Sequence, residues 1–155
     1  MERFTFIKPT VSHIPSMQEL VRAEVINGNI LERSASEMAT TIRSYTVVYK
    51  DDELIGFVAL HIHTPELAEI RSLVVHEQYR KYGVGSELIQ KAVQEAKHLG
   101  IKTVLVLTYR ENMFKEFGFK VIAKESIPET KIWADCVKCK HFPICDEVAL
   151  VMEVE

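Results

Sequence analysis

Residues 69–88 read EIRSLVVHEQYRKYGVGSEL, and the chemistry gathers where Arg80-Lys81-Tyr82-Gly83-Val84-Gly85 meets Ser86. An apolar run ending Leu73-Val74-Val75 predicts a strand, and helical periodicity starts at Ser86, so both glycines fall in a strand-to-helix turn. The first turn of a helix carries N–H groups with no carbonyl partner, and glycine lets a ligand approach them closely. That arrangement suits a pyrophosphate. A phosphate loop would end Gly-Lys-Ser/Thr, and a dinucleotide fingerprint would need a third glycine and an acidic residue about 20 positions later. Neither pattern is present. Taken alone, Gly-x-Gly also fits a tight turn with solvated basic side chains.

A second cluster is Cys136-x-x-Cys139-x-His141-x-x-x-Cys145. Its first gap suits two thiolates on one tetrahedral structural zinc, with His141 as another ligand. Cysteines packed as small apolar groups, or a thiol switch, are the other readings. His61 and His63 share one face of a strand and read as ordinary polar positions near a cleft or solvent, and Trp133 reads as packing.

Caps and periodicity predict the elements that position these groups. Arg3–Lys8 is a short strand, and Ser16-Met17-Gln18-Glu19 reads as a capping box opening a helix that Asn27-Gly28-Asn29 closes. Ser34-Ala35-Ser36-Glu37 repeats the pattern for a second helix through Ile42. Tyr45–Tyr49 and Leu54–His63 are strands joined at Asp51-Asp52, and Ala68–Val75 is a strand whose end reads as buried on both faces. The helix from Ser86 carries Leu88, Ile89, Ala92, Val93, Ala96 and Leu99 on one stripe and stops at Gly100. Thr103–Thr108 is a buried strand, Asn112–Phe117 a short helix, and Phe119–Ile122 and Val148–Val154 the last strands. This order predicts an α/β chain.

At 155 residues, 47% hydrophobic and 26% charged, the chain fits one domain over 1–155, with a Cys-rich segment at about 133–147. The net charge is −3 and the basic residues are scattered apart from Arg80-Lys81, which favours a small-molecule partner over nucleic acid. No apolar run approaches the roughly 20 residues of a membrane span, and the start lacks a signal-peptide core, so a cytoplasmic chain with no membrane partner is expected. Three cysteines within ten residues suit a reducing compartment.

Arg80-x-x-Gly83-x-Gly85 after Leu73-Val74-Val75 resembles the acetyl-CoA signature of the GNAT acetyltransferases, and Phe114-Lys115-Glu116-Phe117-Gly118-Phe119 is similar to a late motif of that fold. More narrowly, Leu31–Ser34, Ala68–Val75, Leu107–Arg110, Ile127–Lys131 and the Trp-x-Asp-Cys-x-x-Cys tail resemble short, single-domain bacterial N-acetylglutamate synthases. The resemblance implies the GNAT fold, a mixed central sheet of about six to seven strands flanked by helices. It implies acetyl-CoA as cosubstrate, with Leu73, Val74 and Val75 pairing with pantetheine, Arg80, Lys81, Tyr82, Gly83, Val84, Gly85 and Ser86 holding the pyrophosphate, and Phe114 beside them.

The implied reaction is acetylation of an amine, with the α-amino group of L-glutamate as acceptor. Glu69 stands where relatives carry a general base; a strand-edge surface glutamate, or a water held by carbonyls acting as base, are the alternatives. The Leu73 or Val74 N–H would face the oxyanion. The family's usual tyrosine acid is Phe114 here, which leaves the substrate ammonium or water to protonate the thiolate. Arg33, Arg71 and Arg110 would bind carboxylates, helped by Ser34, Ser72 and Lys131. The Arg-Ser element near the end of longer synthases has no clear match. A homodimer is the implied assembly, and another amine acceptor or a non-catalytic acyl-CoA sensor fits the same frame.

Overall fold

The computed structural model describes residues 4–28, 30, 32–123, 126–127 and 147–154. In chain order these form β1 (Thr5–Ile7), α1 (Ile14–Ile26), α2 (Ala35–Thr40), β2 (Tyr45–Lys50), β3 (Glu53–Ile62), β4 (Leu67–Val75), α3 (Val84–His98), β5 (Thr103–Thr108), α4 (Glu111–Glu116), β6 (Lys120–Ile122) and β7 (Val148–Glu153). The strands make one sheet in the order β1-β2-β3-β4-β5-β7-β6. The expected sheet of six to seven strands flanked by helices is therefore found.

Short connections force antiparallel neighbours, and β2 turns into β3 through Asp51 at φ +56°, a left-handed position that aspartate tolerates. Between β4 and β5 the chain inserts α3, so this pair alone among the described strands is parallel. Residues of β4 alternate between two cores. Ala68, Ile70 and Val75 join the cluster beneath α3, whereas Val74 joins the cluster beneath α1 and α2. The β4 end is thus buried on both faces, as its apolar run predicts.

Among the helices, the larger boundary differences from the sequence reading lie in α1, α2 and α3. Helix α1 begins at Ile14, ahead of the Ser16 box, because Pro15 presets φ in the first turn where no N–H acceptor is needed. The box that forms lies upstream, with the Thr10 N–H donating to His13 Nδ1 at 2.8 Å. Helix α2 keeps its predicted Ser34–Glu37 box but ends at Thr40, followed by a 3₁₀ turn at Ile42–Ser44. Helix α3 starts at Val84, and Leu99 is 50% exposed because it caps the helix just before Gly100 reverses the chain at φ +83°.

Candidate active site

The site is built on an irregularity in β4. Against β3, Phe57 pairs with Val74 and Ala59 with Arg71, so three steps on β4 oppose two on β3. The extra residue is a β-bulge, and Ser72 takes φ +54° to accommodate it. On its other side β4 pairs with β5 only from Leu67↔Thr103 to Ile70↔Val106, after which β5 continues with β7 alone. The two parallel strands part in a V. Residues 71–75 therefore have no β5 partner in the register, and their backbone faces the opening.

The C-terminal end of β4 leads into the glycine turn. Residues Glu77–Tyr82 form a 3₁₀ helix that Gly83 ends at φ +77°, and the same glycine caps α3. The Glu87 N–H donates to Gly83 O at 3.1 Å as the first bond of α3, so the N–H groups of Val84, Gly85 and Ser86 precede any i−4 partner. A Cβ on Gly83 would meet nothing within 4 Å, which leaves room above these donors for a phosphate. Gly85 serves another purpose: its Cβ would lie 3.1 Å from Met113 Cε, so it lets α4 close on α3. Arg80 is tethered, its Nε donating to Val75 O at 3.0 Å while a terminal nitrogen lies 3.6 Å from Glu24. Lys81, Tyr82 and Ser86 are exposed around the turn.

On the α2 side of the bulge lies a cleft of about 160 Å³ whose walls include Arg33, Tyr45, His61, Arg71 and Ser72. Arg33 approaches from just before α2, Tyr45 from the start of β2, His61 from β3, and Arg71 and Ser72 from β4. Burial pushes the Tyr45 phenol up, opposed by the Arg33 guanidinium, by a hydrogen bond with Thr41 and by Arg71, with Glu37 adding to the rise. Two guanidinium groups and the Glu37 carboxylate, which also lines the cleft, thus act on one buried ring.

Glu69 lies one step back along the same face, opposite His61 in the register. Its side chain is 5% exposed, which sets aside the strand-edge surface alternative. Oε1 accepts from Arg71 Nε at 2.9 Å and lies 2.9 Å from His63 Nε2. Arg71 and His63 are held in turn, and the His61 and His63 rings meet edge to face with centroids 4.6 Å apart. Glu69 anchors a polar cluster of two histidines and an arginine beneath the cleft wall, and it does not itself line the cleft.

Of the acceptor residues expected from sequence, Arg33, Arg71 and Ser72 converge on the cleft. Ser34 does not line it: its hydroxyl accepts from the Glu37 N–H at 3.1 Å and Glu37 Oε1 accepts from the Ser34 N–H at 2.8 Å, so it is spent on capping α2. Arg110 is exposed at the N-cap of α4, at the far end of β5, and is absent from the cleft wall. Phe114 is 2% exposed and packs edge to face on Phe119, so that position supplies core and no proton donor. Lys131, Cys136, Cys139, His141, Cys145 and Trp133 lie outside the described residues. Among the described residues no group of three or more His, Cys, Asp or Glu is placed to hold a metal, and no helix is long and apolar enough to cross a membrane.

The amino-acid sequence marks His61 and His63 only as polar strand positions near a cleft or solvent and does not single out Tyr45; His61 and Tyr45 both line the cleft. The available signal was the turn between β3 and β4, where the His63 N–H donates to Leu67 O at 2.9 Å and Thr64 Oγ1 accepts from the Leu67 N–H at 3.0 Å. That turn fixes His61 opposite Glu69.

Residues 16–119 match a family model described as the acetyltransferase (GNAT) family. An uncharacterized N-acetyltransferase of Chlorobaculum tepidum is 40% identical over 124 residues, covering 80% of this chain and 79% of that protein. An amino-acid acetyltransferase of Pasteurella multocida is 34% identical over 124 residues, which cover 79% of this chain but only 28% of that relative. The structure of N-acetylglutamate synthase from Neisseria gonorrhoeae, complexed with coenzyme A and N-acetyl-glutamate, superposes with a TM-score of 0.87 at 23% identity. The match covers 100% of this chain and 36% of that one, and at this identity the likeness is one of fold.

Proposed function

This chain belongs to the acetyltransferase (GNAT) family, and from that premise we propose that it moves an acetyl group from acetyl-CoA to the α-amino group of L-glutamate. The observation that carries the acceptor is the cleft where Arg33 and Arg71 meet beside Ser72 at the bulge of β4. Planar guanidinium groups recognise carboxylates with paired hydrogen bonds, and two of them beside a serine hydroxyl suit a carboxylate-bearing acceptor better than an apolar or cationic one. The amino-acid acetyltransferase likeness supports the same class of acceptor. Such a reaction would be the first step of arginine synthesis.

In this reading the N–H groups at Gly83–Ser86, with Arg80, Lys81 and Tyr82, hold the pyrophosphate of coenzyme A. The backbone of Leu73–Val75, which β5 has left, pairs with the pantetheine amides and draws the thioester to the bulge. There the Leu73 N–H faces the carbonyl oxygen as it gains charge, a contact worth roughly 3 kcal/mol in comparable sites. Arg33, Arg71 and Ser72 hold the acceptor with its nitrogen toward the thioester. Arg110, from the end of β5, and Lys131 are proposed as further cations for the second carboxylate. Glu69 works from beneath, fixing Arg71. With Phe114 in the core, the second proton of the acceptor ammonium, or water, protonates the departing thiolate.

A thiol-release assay with acetyl-CoA and each of the twenty amino acids tests the proposal. Glutamate is expected to give the highest kcat/KM, with aspartate next. Equal rates with neutral amino acids would refute the acceptor assignment, and no thiol release with any amino acid while coenzyme A still binds would favour a non-catalytic sensor.

A further inference from the structure

Acetyl transfer needs the acceptor nitrogen without its ammonium proton, so some group facing the cleft must take that proton. Glu69 is the residue expected from sequence. Yet its Oε1 already receives Arg71 Nε and lies at hydrogen-bond distance from His63 Nε2, its side chain is 5% exposed, and it does not reach the cleft wall. A buried carboxylate that is engaged by Arg71 and His63 and does not face the cleft is placed to anchor those two side chains and not to meet the acceptor nitrogen. The imidazole that does line the cleft, two residues beyond Ala59 on β3, is His61.

Resting on the proposed function, we propose that His61 takes the proton from the acceptor ammonium, and that the His63–Glu69–Arg71 network is the device that positions it. The groups around His61 are His63 on β3, Glu69 and Arg71 on β4, Arg33 and Glu37 at the start of α2, and Tyr45 on β2. His61 lies across the register from Glu69, and its ring is braced edge to face by His63, which the Glu69 carboxylate holds at 2.9 Å. Arg71 belongs both to the network and to the cleft, so the element that grips the acceptor's carboxylate also fixes the base beside its nitrogen.

The step balances as follows. One ammonium proton passes to the His61 imidazole, and the freed nitrogen lone pair forms the C–N bond while the carbonyl electrons move to oxygen. Collapse breaks the C–S bond, the thiolate leaves with the bonding pair, and a second nitrogen proton goes to sulfur. The amide keeps the third proton, and the imidazolium returns its proton to water.

The test compares His61→Gln and His61→Ala with wild type in the thiol-release assay, using glutamate from pH 6.5 to 9.5, with coenzyme A affinity measured alongside. The Gln variant is expected to lose on the order of 10² in kcat/KM near neutral pH and to regain it as the acceptor's own ammonium titrates. Added imidazole is expected to restore the Ala variant. A deficit that stays constant across the range, or a Gln variant within about threefold of wild type throughout, would overturn the inference while leaving the proposed function standing. If the Gln variant loses coenzyme A binding, imidazole rescue of the Ala variant decides: rescue supports the inference and its failure overturns it. A wild type that releases no thiol with glutamate removes the proposed function and this inference together.

Discussion

Replacing Arg71 with methionine should damage both stability and acceptor binding, for separable reasons. The Nε–Oε1 contact to Glu69 is 2.9 Å, with side chains 17% and 5% exposed, so the pair is shielded from solvent. Removing one partner of such a pair costs about 3–5 kcal/mol, because the remaining charge is left buried. His63 still stands 2.9 Å from the same oxygen, which argues for the lower end, about 3 kcal/mol. For a chain of 155 residues that corresponds to a fall in Tm of roughly 6–12 °C. The double variant Arg71→Met with Glu69→Leu removes both charges, and most of that loss should return. Acceptor binding should not return. A lost charge-assisted hydrogen bond of about 1.5–3 kcal/mol raises the glutamate KM by about 10- to 150-fold in both variants. Thermal melts read the first effect, and thiol release against glutamate concentration reads the second. A single variant melting within about 2 °C of wild type would refute the buried-pair argument. An unchanged KM would refute the role of Arg71 in the cleft.

Ser34→Ala should cost about 1 kcal/mol through loss of the α2 cap while leaving the glutamate KM unchanged; a raised KM in urea-stable protein would mean that the hydroxyl meets the acceptor. Gly56→Ala should lose about 1–3 kcal/mol, because its Cβ would sit 2.9 Å from Val74 O and 3.0 Å from Val48 Cγ1. Urea midpoints check this, and a neutral outcome would mean that β4 shifts without cost. For Tyr45, below pH 10 the phenol is protonated in both folded and unfolded chains and contributes no pH slope. Above pH 10 the unfolded chain ionises first, since burial raises the folded value, so stability falls at up to about 1.4 kcal/mol per pH unit. Tyr45→Phe should flatten this alkaline loss relative to wild type in urea melts at pH 9 and 11, and parallel curves would argue against it.

Much of the frame could be read from local pattern. The strand, glycine turn and helix of residues 67–98 were legible because a short apolar run gives way to period 3.6 across the glycines, and the Ser34–Glu37 box announced α2. Arg33, Arg71 and Ser72 were legible as candidates because a resemblance pointed to their positions, and the fold brings them to one cleft. Ser34 reads both as the cap of α2 and as an acceptor ligand, because a hydroxyl before a helix can serve either, and the bonds it forms here are those of the cap. Arg110 and Phe114 are marked by motif position alone, which does not tell that Arg110 stands exposed at the N-cap of α4 or that Phe114 packs in the core.

The amino-acid sequence by itself determined the elements and the character of the turn at Gly83, because caps, glycine and side-chain periodicity act over a few residues. Tertiary structure alone decided where β5 leaves β4, why Ser72 carries the bulge, and that Glu69 is buried under Arg71 and His63. Alternation tells which face a strand residue occupies, but not which strand lies beside it or where pairing ends. Those depend on contacts between residues far apart in the chain, and the cleft exists only where they meet.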